Sequence, residues 1–406
     1  MNILGIGILF NRGRGIDSFE NALKSGWQRP EEYDIPRINK KTPAYIVKPE
    51  HIEDKVLFKK MRRADKFSKM SVIAASDAIK DSGVDINKNR TGIILSTAFG
   101  AHKTTFDFLD DIIDYGEVGV SPTIFSNSVH NAAASYIASA LDITGPTLTV
   151  TRFSFPFQSA LQLAQTWIND DRCEHVLVGA VDVCGEVMRY CFDKKLGTSE
   201  DGKIRPFNFS SPLPPVPGEG SVFFLVSGKS SERAYCRIDD IVFTKEFISK
   251  AGDNAPAFGT PSYLKRGKGE LISPPLRGGP ACPVGRDEGE GVVCCFTSDI
   301  DIIDADGMAD GKAYLKYISP SVPVAAYSPL FGSTMTVSAF NLTAGALMIK
   351  KQMQYANPVS DNADSINLLN VYGPSIIDLI RSIGCNCQDE NVIIYLRKAG
   401  FYKGVH

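Results

Sequence analysis

Apolar and polar positions along this chain follow two alternating periods. Asn2–Leu9, Thr91–Thr97, Leu148–Val150, His175–Asp182 and Ser221–Ser227 are short, apolar and mostly rich in β-branched residues, which predicts buried strands. Ser18–Ser25, Lys66–Ser82, Ser126–Leu141, Pro156–Asn169 and Thr334–Met348 carry helix-like spacing, and Gly83 is placed to end the second of them. Strand and helix signals that alternate from end to end argue an α/β layered fold. The chain turns polar around Lys229–Glu232 and strands resume from Ala234, which predicts two halves, 1–229 and 230–406. Residues 258–290 are dense in glycine and proline and read as a surface excursion or partner-contact loop.

Composition narrows the class. With 406 residues, 43% of them hydrophobic, the chain can bury a large core. A formal charge of −2 offers no basic field for nucleic acid. No apolar run reaches membrane-spanning length, and Met1–Phe10 reads as a first strand rather than a signal peptide. The expected location is the cytoplasm. Cys173, Cys184, Cys191, Cys236, Cys282, Cys294, Cys295, Cys385 and Cys387 are an odd number, and their spacing fits no zinc site. They read as reduced structural thiols, and no metal is expected.

The stretch Gly145–Leu161 carries the most chemical information. A short strand breaks sharply into an apolar helix, the layout that places a reactive side chain at a helix N-terminus. Ser154 stands at the break, two residues before Pro156, where a serine also makes a favourable helix cap. Phe153, Phe155 and Phe157 crowd it beside Arg152. Aromatics at such a place either pack a core or line a cavity, and the pattern leaves both open.

The same stretch resembles the active-site elbow of the β-ketoacyl synthases, where a cysteine follows a Gly-Pro-Ser/Thr-x-Thr-Val strand. Further matches are Met61-Arg62-Arg63-Ala64-Asp65-Lys66-Phe67-Ser68, Ser126–Ala134, Arg205-Pro206-Phe207-Asn208 and Pro217-Gly218-Glu219-Gly220. The resemblance implies a thiolase-like five-layered α-β-α-β-α sandwich made of two similar halves. It also implies a dismantled active site. Ser154 holds the cysteine position, Asp306 and Ser333 hold the two histidine positions, and Ser328 holds the lysine position. The threonines that hold a phosphopantetheine arm become Met308 and Asp310, and the glycine-rich oxyanion turn is matched to Tyr372-Gly373-Pro374-Ser375. Arg152 is a candidate ion-pair partner for Asp306 in the vacated site.

The resemblance points most closely to the chain length factors, the catalytically silent ketosynthase β subunits of bacterial type II polyketide synthases. Many of these hold glutamine where this chain holds Ser154. Such a subunit pairs with an active β-ketoacyl-[acyl carrier protein] synthase and helps set polyketide length. The phosphopantetheine of the acyl carrier protein enters the partner subunit, so no cofactor is expected on this chain. The implied heterodimer interface runs along Leu148, Thr149 and Val150 and the helix bearing His130 and Asn131, with Ala132, Ala133, Ala134 and Ala138 allowing close approach. Arg152, Phe153, Phe155 and Phe157 are expected to line the cavity. Two other readings stay open: an acyltransferase or hydrolase using Ser154 as nucleophile, with His130 or a partner residue as base, and a scaffold that recruits a carrier protein.

Overall fold

The structure is a computed structural model that describes residues 1–116, 119–209, 214–245, 298–308, 311–386 and 390–399. The glycine- and proline-rich stretch 258–290, Asp310, and Cys282, Cys294, Cys295 and Cys387 lie outside the described residues.

Among the described residues, ten strands lie along the path of the main sheet: β1 (Asn2–Phe10), β2 (Thr91–Thr97), β3 (Thr147–Thr151), β4 (His175–Asp182), β5 (Gly220–Ser227), β6 (Cys236–Lys245), β7 (Ile300–Ile303), β8 (Val324–Ala325), β9 (Leu379–Cys385) and β10 (Glu390–Arg397). The first five pair in the order β3-β2-β4-β5-β1 and the second five in the order β8-β7-β9-β10-β6. Each set repeats the other's pattern, third-second-fourth-fifth-first, parallel at the far edge and antiparallel at the fifth strand. The sets join where Asn2 and Ile3 of β1 pair with Arg237 and Cys236 of β6. A strand's period of two sends neighbours to opposite faces. In β5, Val222, Phe224 and Val226 therefore enter one core while Phe223 and Leu225 enter another. In β10, Val392, Ile394 and Leu396 join the first core while Ile393 faces a third.

The helices that concern the site are α1 (Ile16–Ser25), α2 (Lys66–Ser82), α3 (His102–Tyr115), α4 (Pro122–Ser128), α5 (Ala132–Leu141), α6 (Pro156–Asn169) and α7 (Val337–Lys351). The middle core holds α6 and α7 between the inward faces of both strand sets. Residues Val337 to Ile349 of α7 are all buried, as a helix walled in on every side requires. Outside the first set lie α2 and α5. Asp65 caps α2 by accepting from the Ser68 N–H, and Gly83 closes it in the left-handed conformation. Close approach of α2 to β1 requires glycine: a Cβ on Gly7 would stand 1.9 Å from the Ala74 carbonyl oxygen. Outside the second set, Phe207, Phe209 and Tyr314 cover Ile303, Ile383 and Ile393. This outer layer uses a 3-10 turn, Gly311–Lys316, and loops among the described residues.

Two expected helices are changed. The run Ser126–Leu141 is not one helix: it breaks at Val129–Asn131, leaving α4 and α5. The last helix starts at Val337, three residues later than the spacing predicts, and just ahead of it the Thr334 and Thr336 hydroxyls bond each other at 2.9 Å.

Candidate functional site

Where β3 turns into α6, Phe155 adopts φ 53°, ψ 46°, left-handed backbone in a residue other than glycine. A bulky side chain there stores strain of order 1–3 kcal/mol, and such strain concentrates at functional turns. Pro156 then opens the helix at its first position. Ser154 is not the cap. Phe155 occupies the cap position with no side-chain hydrogen bond, and the Ser154 hydroxyl accepts instead from Asn386 Nδ2 at 3.1 Å.

Ser154 opens onto a cavity of about 160 Å³. Asp304 and Asp306 enter it from the end of β7, and Gln158 and Ser338 from α6 and α7. Met308, Met335, Phe153 and Phe155 add apolar wall. Gly384, Cys385 and Asn386 close it from the end of β9. This turn, rather than Tyr372–Ser375, faces Ser154. Gly373–Pro374 instead pairs with Met353–Gln354 in a separate two-stranded ribbon, with Tyr372 exposed.

Both acids are buried. Burial pushes the Asp306 carboxyl up to about 7; the Met308 N–H at 3.0 Å draws it down and the charge of Asp304 pushes it further up. Burial likewise raises Asp304 to about 6, against hydrogen bonds from Asn341 Nδ2 at 2.8 Å and from the Ser338 hydroxyl. Both carboxyls are thus held well above the ordinary carboxylate range, Asp306 more so than Asp304.

Ser333 lies in a smaller adjoining space shared with Asp182, Met308 and Thr334. Its hydroxyl donates to the Asp306 carbonyl and accepts from the Val216 N–H at 3.1 Å. Ser328 donates to the Ala305 carbonyl at 2.6 Å. The two hydroxyls hold the backbone of the Asp306 loop in place.

The expected cavity wall is half right in its geometry. Phe153 and Phe155 line the cavity, and Phe153 is 68% exposed. Phe157 does not: it is fully buried in the middle core, 5.5 Å from the Phe224 ring, because the next turn of α6 points it into the sheet. Arg152 makes no ion pair with Asp306. Its guanidinium is exposed and donates to Ser159 Oγ at 2.8 Å.

The interface residues divide likewise. Among the described residues β3 pairs with β2 on one side only, so Leu148, Thr149 and Val150 lie on a sheet edge that no described strand covers. Leu148 is 43% exposed. His130 and Asn131 sit exposed in the break between α4 and α5, and His130 Nδ1 meets Thr151 Oγ1 at 3.3 Å. His130 therefore does not reach Ser154 and is no base for it. Ala132, Ala133 and Ala134 are buried, and Ala133 and Ala134 pack into the core shared with α2 rather than outward.

Sequence reasoning missed Gln158, Asp304, Gly384 and Asn386. Asp304 was within reach: two residues before Asp306 at a strand end, it shares that residue's face. Gln158 and Asn386 gave no local signal.

Comparison with known proteins agrees with this geometry. The family model of the β-ketoacyl synthase N-terminal domain matches residues 1–231. The chain is 31% identical over 156 residues to the 3-oxoacyl-[acyl-carrier-protein] synthase 2 of Staphylococcus aureus, covering 36% of this chain and 37% of that enzyme. The match therefore spans little more than a third of that relative. The fold is similar to the ishigamide ketosynthase/chain length factor, with a TM-score of 0.70, 15% identity, and coverage of 98% of this chain and 99% of that one. It is also similar to a chain of AntDE:AntF, a type II polyketide synthase acyl-carrier protein in complex with its ketosynthase bound to the hexaketide. There the TM-score is 0.69, with 14% identity and 98% of each chain covered.

Proposed function

The chain belongs to the β-ketoacyl synthase family, and from that premise we propose that it is a chain length factor. In this reading it catalyses no condensation, pairs with an active β-ketoacyl-[acyl carrier protein] synthase subunit in type II polyketide assembly, and helps set polyketide length. The phosphopantetheine arm of the acyl carrier protein then serves the partner's active site.

One observation carries the reading: a cavity opens beside Ser154 at the elbow but holds no thiolate there, and no imidazole lines it among the described residues. Decarboxylative condensation needs a thiolate to carry the acyl chain and hydrogen-bond donors to stabilise the enolate. Ser154 is no thiolate, and Asp306 and Ser333 supply no imidazole, Ser333 moreover spending its hydroxyl proton on the Asp306 carbonyl. The free edge of β3 supports the pairing, together with exposed Phe106, Leu109, Ile113, Phe125 and Val129 on α3, α4 and the break after it. An unpaired, partly apolar edge strand calls for a covering partner. Ser154 as a hydrolytic nucleophile is disfavoured, because His130 bonds elsewhere and no imidazole lines the cavity among the described residues.

Product length in the reconstituted complex tests the proposal. Phe153→Ala and Phe155→Ala are expected to shift the product distribution toward longer chains with turnover little changed. Phe157→Ala is the contrast: it removes a core ring, costs about 3–5 kcal/mol of stability, and leaves product length alone. An unchanged distribution in an intact complex for both cavity variants ends the length-control role of these residues.

A further inference from the structure

Helix α3 lacks a buried face. Of its 14 residues only His102 is buried, while Phe106, Leu109, Ile112, Ile113 and Tyr115 are exposed. Phe106, Leu109 and Ile113 recur at the spacing that sets them in one stripe along a helix. Asp107, Asp110 and Asp114 repeat that spacing one position on, so an exposed acidic stripe runs beside the apolar one. Local preference does not explain these acids. The last turn of α3 holds no basic residue, and an acid such as Asp114 there opposes the helix dipole.

Contacts link α3 to the uncovered edge of β3. The Phe108 ring lies 5.5 Å from that of Phe125 in α4, and the Thr105 hydroxyl stands 3.0 Å from the Ser128 carbonyl oxygen. Two residues on, His130 meets Thr151 at the end of β3. Phe125 and Leu148 are exposed along the way, and neither α4 nor β3 contains a charged residue. Across α3, α4, β3 and the elbow, two cations, Lys103 and Arg152, stand against four acids, Asp107, Asp110, Asp111 and Asp114. Lys103 is already paired with Asp107 at 2.7 Å. The face is apolar enough to call for cover and acidic along one side.

We propose that the acidic stripe of α3 makes this chain reject a second copy of itself and select a catalytic subunit whose facing surface is basic. The inference rests on the pairing reading and names the charge that decides the partner. In a twofold pair of identical chains the same patch meets itself, so each acidic stripe is buried against a face of its own sign. Like charges across an interface oppose association, whereas opposite charges speed encounter and fix the partner. The apolar stripe attracts either chain, and the acids decide between them.

Sedimentation velocity of the full chain alone, at about 0.1 M and about 1 M NaCl, reads the effect, since salt shortens the screening length from ~10 Å to ~3 Å. Raising the salt should tighten self-association of the unaltered chain at least tenfold. Asp110→Asn combined with Asp114→Asn should do the same at low salt and leave little further response to salt. Glu50→Gln with Glu53→Gln, exposed acids on another segment, is the control and should change nothing. Circular dichroism checks folding, and neutral residues late in a helix favour it. Pairing with a catalytic ketosynthase subunit should show the opposite sign, weakening at least tenfold at high salt and in the α3 variant. Self-association indifferent to both salt and the α3 variant, or strengthened equally by the control, overturns the proposal. Pairing that ignores salt overturns it too, whereas no pairing at any salt ends the reading on which it rests. If the α3 variant does not fold, the opposite salt responses of self-association and pairing decide.

Discussion

Asp306 is buried at the cavity, and its burial gives the chain a pH dependence of known sign. Its carboxyl titrates near 3.8 when exposed and near 7 in the fold. Below about 4 both states hold the proton and the group's stabilisation is fully present. As pH rises toward 7 the unfolded chain ionises first, so the folded state binds the extra proton and loses stability until the loss is complete above 7. Asp306→Asn removes that slope. Its melting temperature relative to the unaltered protein should rise steadily between pH 5 and pH 8, and parallel curves would refute the assignment. Ser154 makes the complementary point. Ser154→Cys should not restore condensation with acyl and malonyl carrier protein, followed by product mass, because the thiol would sit beside two acids and no imidazole. Acids near a thiol raise its pKa and hold it protonated. Appreciable product would overturn the reading of a silent site.

Among the elements, β3 matters most. It is short, bonded to β2 on one side, and continuous with the elbow that presents Ser154. His130 secures the break at Val129–Asn131. It bonds Thr151 at the end of β3 and crowds Gly100 so closely that a Cβ there would meet its ring at 2.3 Å. A charge on the edge should block pairing without disturbing the buried face of the strand. Leu148→Lys is accordingly expected to abolish association with the catalytic subunit while the chain's own melt changes little, read by size exclusion with light scattering. Retained complex formation would show that pairing does not use this edge.

At the scale of the whole molecule, the repeated strand order places the ends of β3, β7 and β9 around one cavity, although these strands end at Thr151, Ile303 and Cys385, far apart in sequence. A chain with a free, partly apolar edge should be poorly behaved alone. Co-expression with a catalytic ketosynthase is expected to raise the soluble yield several-fold and give a 1:1 complex, whereas an equally stable monomer without the partner would remove the pairing model. Much of this fold was legible in the sequence. The limits of β2, β4, α2 and α6 match their predicted spans because burial periodicity, Asp65, Gly83 and Pro156 are local signals. The elbow was legible too, since a β-branched strand meeting a proline-led helix is written in adjacent residues. The rest was decided in three dimensions. Whether Phe157 faces a cavity or a core depends on which sheet α6 packs against, and whether Ala132–Ala134 face outward depends on which elements α5 packs against. Neither depends on neighbours in sequence. The chemistry of the site was least legible of all. Asp304, Asp306, Gln158 and Asn386 are ordinary polar residues until tertiary packing buries them together, and only desolvation turns two carboxylates into weak acids and leaves one amide oxygen without a partner.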